Sequence, residues 1–136
     1  MGIKVLQVNI RNFKKLKYSF NLTINEIQPH VILLNETGIA DSSQLKIRGY
    51  KGFGVNNSEH HGMAIFYKIN LHIEHVTFTD DNLIAIKIVT NTGKIIIATS
   101  YSPPRTKSLP IISINKLFNQ PYPILFIGDL NAHHNI

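Results

Sequence analysis

Apolar residues form short uninterrupted runs along this chain, and polar residues follow where the runs end. The run from Val31 to Leu34 is too short for a helix, and Pro29 and Asn35 bound it. The segments from Ile3 to Val8 and from Ile124 to Ile127 have the same branched, apolar composition. Such runs are typical of strands that are buried on both faces of a sheet. The pattern therefore predicts three buried strands.

Two segments instead carry apolar residues at helical spacing. Between Phe13 and Ile27 these residues recur every three or four positions, which predicts a helix that Pro29 ends. A second helix is predicted from Ile111 to Phe118, before Pro121 and Pro123. The residues that define the apolar face of the first helix are Phe13, Leu16, Phe20, Ile24 and Ile27.

The middle of the chain predicts four successive strands. They run from Gly62 to Tyr67, Leu71 to Phe78, Leu83 to Val89 and Lys94 to Ser100. The turn Asn91-Thr92-Gly93 supplies the glycine that a tight hairpin requires. Short turns between consecutive strands imply antiparallel pairing, so the whole pattern predicts an α/β protein with mostly antiparallel and mixed sheets.

Composition narrows the class of protein. With 136 residues, 43% of them hydrophobic and 16% charged, the chain is expected to form one globular domain or part of one. A net charge of +6 favours encounter with polyanions such as nucleic acid. The absence of cysteine excludes disulfides and thiolate metal sites. The sequence has no signal peptide pattern and no membrane-length apolar stretch, so we expect an intracellular protein without a membrane partner.

Polar side chains that could perform chemistry follow the predicted buried strands. Glu36 and Asp129 each come after such a strand, and Asn9 follows the first one. Carboxylates that converge at sheet ends repel one another unless a cation or proton lies between them, and Mg²⁺ suits oxygen ligands of this kind. The alternative is that each of these residues is an ordinary polar stop at the end of a strand.

Basic residues follow Asn9 in the sequence. Arg11, Lys14, Lys15 and Lys17 lie near a predicted helix start, where the helix dipole disfavours cations. This local cost favours a role for Arg11 and Lys14 in contacting nucleic acid phosphates, although a solvated basic surface explains them equally well.

Five segments in order resemble the endonuclease/exonuclease/phosphatase superfamily. They are LQVNIRN (Leu6 to Asn12), VILLNETG (Val31 to Gly38), GMAIFYK (Gly62 to Lys68), TSYSPPR (Thr99 to Arg105) and ILFIGDLNAHH (Ile124 to His134). Within that superfamily the sequences of these segments are most similar to the endonuclease domains of non-LTR retrotransposons, which are relatives of the apurinic/apyrimidinic endonucleases. The resemblance implies a four-layer α/β/β/α sandwich that cuts DNA with Mg²⁺, or with Mn²⁺ in its place.

The resemblance also implies roles for individual residues. Glu36 would be the principal metal ligand, and Asn9 would lie beside it. Asp129 would orient or deprotonate the attacking water, Asn131 would hold a phosphate oxygen, and Tyr101 would point its hydroxyl at the scissile phosphate. DNA is the implied partner and the nucleus the implied location.

Two departures from the superfamily pattern are visible. Asn35 stands where a glutamine is usual, and the Ser-Asp-His motif of the second half of the domain has no counterpart. We therefore expect residues 1–136 to form the amino-terminal part of a domain whose carboxyl half is missing. The remainder, or a downstream reverse transcriptase region, would be a partner.

Alternatives are a catalytically dead fragment that at most binds nucleic acid and a phosphatase of the same superfamily. Arg105 is a further candidate for contact with the DNA backbone.

Overall fold

A computed structural model describes residues 2–11, 13–37, 46–55, 62–76, 83–100 and 111–128, which divide between two compact units. The unit Met1–His72 contains β1 (Val5–Asn9), α1 (Phe13–Ile27), β2 (Val31–Asn35), β3 (Tyr50–Val55) and β4 (Met63–Lys68). The unit Ile73–Ile136 contains β5 (Ile73–Val76), β6 (Leu83–Thr90), β7 (Gly93–Ser100), α2 (Ile111–Phe118) and β8 (Ile124–Phe126). Within these ranges, neither helix is long and apolar enough to cross a membrane.

The sheet of the first unit is built around β2. Its strand order is β1-β2-β4-β3, with β1 parallel to β2 and with β4 antiparallel to both β2 and β3. All five residues of β2 are buried, as predicted for a strand covered on both faces. Central position and complete burial fix the register of β2, because a slip of one residue would exchange its two faces.

Helix α1 covers one face of this sheet with its middle turns. Phe20 and Ile24 are buried in a cluster with Ile32, Leu34 and Phe66. The prediction of a longer apolar face is wrong for two members, since Leu16 and Ile27 are exposed. A helix of 15 residues is about 22 Å long, whereas a five-residue strand spans roughly 17 Å, so the helix ends extend beyond the strands.

The sheet of the second unit has the order β5-β6-β7-β8. Strands β5, β6 and β7 pair antiparallel, and β8 joins β7 in parallel. The predicted hairpin between β6 and β7 is confirmed, with Gly93 at a φ of 143°. The Thr90 hydroxyl closes the turn, because it accepts a hydrogen bond from the Thr92 N–H (3.3 Å) and donates to the Gly93 carbonyl (2.7 Å).

Three sequence predictions about the strands need correction. Strand β4 does not pair with β5, because β2 and β3 already occupy both of its edges. Strand β3 was not predicted, since Gly52 and Gly54 lower its strand propensity. Strand β8 is only half-buried and Leu125 is exposed, so it is not a second fully covered strand.

Candidate functional site

Two neighbouring parallel strands of the first unit end together. Asn9, the last residue of β1, pairs in register with Asn35, the last residue of β2. The Ile10 N–H continues the pairing by donating to the Asn35 carbonyl at 3.0 Å. Parallel strands have their carboxyl ends at the same sheet edge, so Asn9 and Glu36 lie at one edge of the sheet.

The backbone at Glu36 is held on both sides in a left-handed conformation. Its φ is 55°, a value that a residue with a side chain adopts at a cost of roughly 1–2 kcal/mol. Before it, the Asn35 carbonyl is bound by β1. After it, the N–H of buried Thr37 donates to the Gly62 carbonyl at 3.3 Å. The fold therefore maintains this conformation through hydrogen bonds to both neighbouring chain segments.

The Glu36 carboxylate is partly exposed and lies beside a cation. Its side chain is 21% exposed, and its Oε2 atom is 4.0 Å from the Arg11 Nε atom. Arg11 is also left-handed, with a φ of 52°, and its side chain is 89% exposed. An ion pair at this distance with an exposed arginine contributes little to stability. The guanidinium is therefore free to turn from Glu36 towards an incoming anion.

In the second unit, β7 and the segment after β8 approach each other closely. The Ile127 N–H donates to the Ala98 carbonyl at 3.0 Å, which extends the parallel pairing beyond Phe126. A Cβ atom at Gly128 would lie 2.3 Å from the Ser100 carbonyl oxygen. Only glycine permits this contact. Ser100 and Gly128 directly precede Tyr101 and Asp129 in the sequence.

The chain superposes on solved structures that share one fold. The endonuclease domain of TRAS1, a telomere-specific non-LTR retrotransposon, superposes with a TM-score of 0.78 and 19% identity, over 98% of this chain and 61% of that one. The chain has the endonuclease/exonuclease/phosphatase fold. The human Nocturnin catalytic domain with bound sulfate matches with a TM-score of 0.69 and 20% identity, over 96% of this chain and 64% of that one.

An apurinic/apyrimidinic (AP) endonuclease from Archaeoglobus fulgidus shares this fold with a TM-score of 0.65 and 16% identity, over 96% of this chain and 58% of its own length. The chain thus spans about three-fifths of the length of these structures. No family model matches the chain, and no curated protein matches it in sequence. The predicted fold class is confirmed.

The donors at the Glu36 edge fit a small, hard cation. Glu36 supplies a carboxylate and Asn9 an amide oxygen, and Mg²⁺ takes one or two carboxylates with water and substrate oxygens completing its shell. Among the described residues, no group of three or more His, Asp or Glu side chains is placed to hold a metal ion. A carboxylate and an amide oxygen agree with Mg²⁺ or Mn²⁺.

Several of the predicted site residues lie outside the described residues. They are Tyr101, Arg105, Asp129 and Asn131, together with the side chain of Lys14, whose backbone belongs to the first turn of α1. The catalytic roles and DNA contacts of these residues remain predictions.

Sequence reasoning missed two features of this edge. Thr37 is buried and fixes the backbone after Glu36, and the left-handed conformation of Glu36 itself had no sequence signal, since glutamate has no preference for it. Asn35 is fully buried in the last position of β2. The shorter amide that replaces the usual glutamine of this fold family thus occupies an interior position rather than the exposed edge.

Proposed function

We propose that this chain is part of a Mg²⁺-dependent endonuclease that hydrolyses DNA phosphodiester bonds. The observation that carries the proposal is the Glu36 carboxylate, held in a fixed backbone conformation at the shared end of β1 and β2. The sequence resemblance implies that, in a chain with this fold, the metal ligand lies at this shared end of β1 and β2. A nuclease of retrotransposon type is favoured by the likeness to the TRAS1 endonuclease domain and by the Tyr-Ser-Pro-Pro and Gly-Asp-Leu-Asn-Ala-His-His segments. Its substrate would be nuclear DNA.

The proposed chemistry distributes tasks among six side chains. A bound Mg²⁺ ion would neutralise charge on the phosphate and its leaving oxygen. Glu36 and Asn9 would hold the ion. Asp129 would orient or deprotonate the attacking water, and Tyr101 and Asn131 would donate hydrogen bonds to the phosphate oxygens. Exposed Arg11 neutralises a flanking phosphate when it turns away from Glu36.

Residues 1–136 are proposed to hold only part of this machinery. The chain spans 61% of the TRAS1 endonuclease domain, and it contains no Ser-Asp-His motif to supply the second acid/base group. Nicking by these residues alone is therefore expected to be weak or absent, and the remaining part of the domain is a proposed partner. The first test must accordingly detect the metal without requiring catalysis.

Titration of the chain with Mn²⁺, followed by paramagnetic broadening of amide NMR signals, provides that test. Signals of Asn9 and Glu36 should broaden first, and Glu36→Gln should abolish the effect. Glu26→Gln is the matched control, because Glu26 is exposed on α1 and loses the same charge in the same unit. Equal broadening in wild type and Glu36→Gln would refute the metal site.

Nicking of supercoiled plasmid at high protein concentration, with Mg²⁺ or with EDTA, tests the reaction. Any Mg²⁺-dependent nicking should fall by roughly 100-fold in Glu36→Gln, which corresponds to about 3 kcal/mol of transition-state stabilisation, and should persist in Glu26→Gln. Nicking that survives in EDTA would contradict the mechanism. A catalytically dead chain would still bind DNA, but the wild type, Glu36→Gln and Glu26→Gln would all bind Mn²⁺ poorly. Release of phosphate from sugar or lipid phosphates without plasmid nicking would favour the phosphatase alternative.

A further inference from the structure

A groove on the helix-covered side of the first unit is lined by cations. Its larger part is a cavity of about 500 Å³ whose rim carries Lys17 from α1 and Lys46 and Arg48 from the segment before β3. Tyr50 and Phe66 form apolar parts of its wall. An adjoining cavity of about 310 Å³ shares Arg48 and Tyr50 with the first and adds Lys68. The shared residues make the two cavities one elongated trough.

No carboxylate of the described residues lines this trough. Glu26 and Glu36 are the only acidic residues described in Met1–His72, and neither lines the trough. Lys17, Lys46 and Arg48 are exposed, and none of them forms an ion pair with a described residue. Three exposed cations around one depression create a local positive potential that attracts an anion.

The neutral lining also suits a phosphate chain. Asn21 lines the larger cavity, and Asn25, Gln28 and Asn70 line the smaller one. Amide side chains of this kind donate hydrogen bonds to phosphate and sugar oxygens. The Tyr50 hydroxyl is not available for that purpose, because it donates to the Pro29 carbonyl at 2.5 Å. Its ring is therefore held as a fixed wall.

The trough runs from the middle of the sheet, at Gly52 and Phe66, to the end opposite Glu36. Strand β4 begins at Met63, the register partner of Asn35, and ends at Lys68, the partner of Tyr50. Five residue steps along β4 correspond to about 17 Å. A ligand in the trough therefore does not occupy the proposed metal site, and it makes a second point of attachment.

We propose that this trough, lined by Lys17, Lys46 and Arg48, binds the phosphodiester backbone of a nucleic acid strand. A single phosphate would fill only part of an elongated depression with cations on several sides. A flat lipid surface cannot enter a concave site between a helix and a sheet edge. A flexible polyanion with regularly spaced charges fits both features, and DNA and RNA strands share that chemistry.

Fluorescence anisotropy with a labelled oligonucleotide tests the proposal, in EDTA so that the metal site does not contribute. Single-stranded DNA, single-stranded RNA and duplex DNA are measured over a range of NaCl concentrations. The triple variant Lys17→Gln, Lys46→Gln, Arg48→Gln is compared with a control triple that loses the same charge at exposed Lys4, Lys51 and Lys116. The two triples lose the same charge at different places on the chain.

The trough triple should weaken single-strand binding at least 10-fold and reduce the slope of log Kd against log salt by about 2, since each single-strand phosphate contact contributes roughly 0.7. The control triple should change both quantities by less than half as much. Equal effects in the two triples would show that net charge alone drives binding and would overturn the proposal. So would an absence of salt-dependent binding by the wild type.

Two further experiments test whether the ligand is an acidic protein segment or a membrane. Polyglutamate that displaces the oligonucleotide at equal charge would indicate an acidic protein segment, and capture of the chain by phosphatidylserine vesicles, lost in the trough triple, would indicate a membrane. Either result overturns the nucleic acid assignment. If the trough triple does not fold, chemical shift mapping of the wild type decides, with Asn21, Gln28 and Arg48 expected to move. These measurements are made in EDTA and do not involve the metal, whereas the proposed nuclease function requires it, so the two proposals fail separately.

Discussion

The left-handed backbone at Glu36 predicts that the functional side chain weakens the fold. The comparison is between Glu36→Gln and Glu36→Gly. Both variants remove the carboxylate and its approach to Arg11, so their difference in stability reports the backbone conformation together with the burial of the remaining side chain. Glycine relieves about 1–2 kcal/mol of left-handed strain but loses roughly 0.5–1 kcal/mol more entropy on folding. We expect Glu36→Gly to be more stable than Glu36→Gln by about 0.5–1 kcal/mol.

A second site in the chain repeats the same exchange without a functional residue. Gln28 follows α1 with a φ of 52°, close to the 55° of Glu36, and its N–H donates to the Ile24 carbonyl at 2.8 Å. This is the left-handed position after a helix that glycine usually occupies. Replacing Gln28 by Gly in the wild type is thus the same exchange as replacing Gln by Gly at position 36, which is the difference between Glu36→Gln and Glu36→Gly. Both should stabilise the chain by a similar amount.

Urea denaturation and thermal melts of the wild type, Gln28→Gly, Glu36→Gln and Glu36→Gly measure the effect. The Tm of Gln28→Gly should exceed that of the wild type by roughly 2–4 °C, and the Tm of Glu36→Gly should exceed that of Glu36→Gln by the same amount. The reasoning is refuted if Gln28→Gly is stabilising while Glu36→Gly is no more stable than Glu36→Gln. That result would mean that the backbone at position 36 carries no strain of its own. A gain at both sites, with loss of Mn²⁺ broadening only at position 36, would show a site that is maintained at the expense of stability.

Three other predictions follow from burial and packing. Leu33→Ala removes a fully buried side chain from β2 and should lower the free energy of unfolding by about 2–5 kcal/mol in urea titrations. Gly128→Ala must push its strand end away from β7 and should cost about 1–3 kcal/mol, whereas Gly2→Ala, with open space around its Cβ position, should be neutral in the same melts. Burial raises the pKa of the Tyr50 hydroxyl above its usual value of 10.0. The contribution of the protonated hydroxyl to the free energy of unfolding is therefore present below pH 10 and is lost as the pH rises through the folded-state pKa. Tyr50→Phe should show a smaller loss of stability above pH 10.

Strong local patterns were sufficient to predict several elements. The predicted bounds of α2 agree with the structure, and β2 is the buried central strand that its unbroken apolar run indicates. The hairpin at Gly93 follows from one turn motif. In each case the deciding information lies within a few consecutive residues, so it does not depend on the rest of the fold.

The predictions failed where partners distant in sequence decide the outcome. Consecutive order predicted pairing of β4 with β5, but β4 is enclosed between β2 and β3, and no local pattern encodes that choice. The glycines of β3 conceal a strand whose Gly52 lies against the Ile65 carbonyl, where a Cβ atom would come within 2.3 Å. The exposure of Leu16 and Ile27 likewise depends on the length of the sheet beneath α1.

The candidate site shows the same division. Asn9 and Glu36 were recognisable because each follows an apolar run, and parallel pairing of β1 and β2 then placed them at one edge. Their conformation was not recognisable, because it results from Ile10 and Thr37 bonding to neighbouring segments. The sequence thus specifies which donors meet, while the long-range hydrogen bonds specify how rigidly they are held.

The register of β2 couples the proposed metal site to the core. A shift by one residue would exchange the buried faces that carry Leu33 and Leu34, and it would also move Glu36 away from Asn9. Such a shift is costly, because every residue of β2 is buried. Core substitutions such as Leu33→Ala should therefore leave Mn²⁺ broadening at Glu36 unchanged for as long as the chain stays folded. Gradual weakening of the metal signal ahead of unfolding would show that the edge is mobile, and a rigid carboxylate would then no longer support the proposed nuclease.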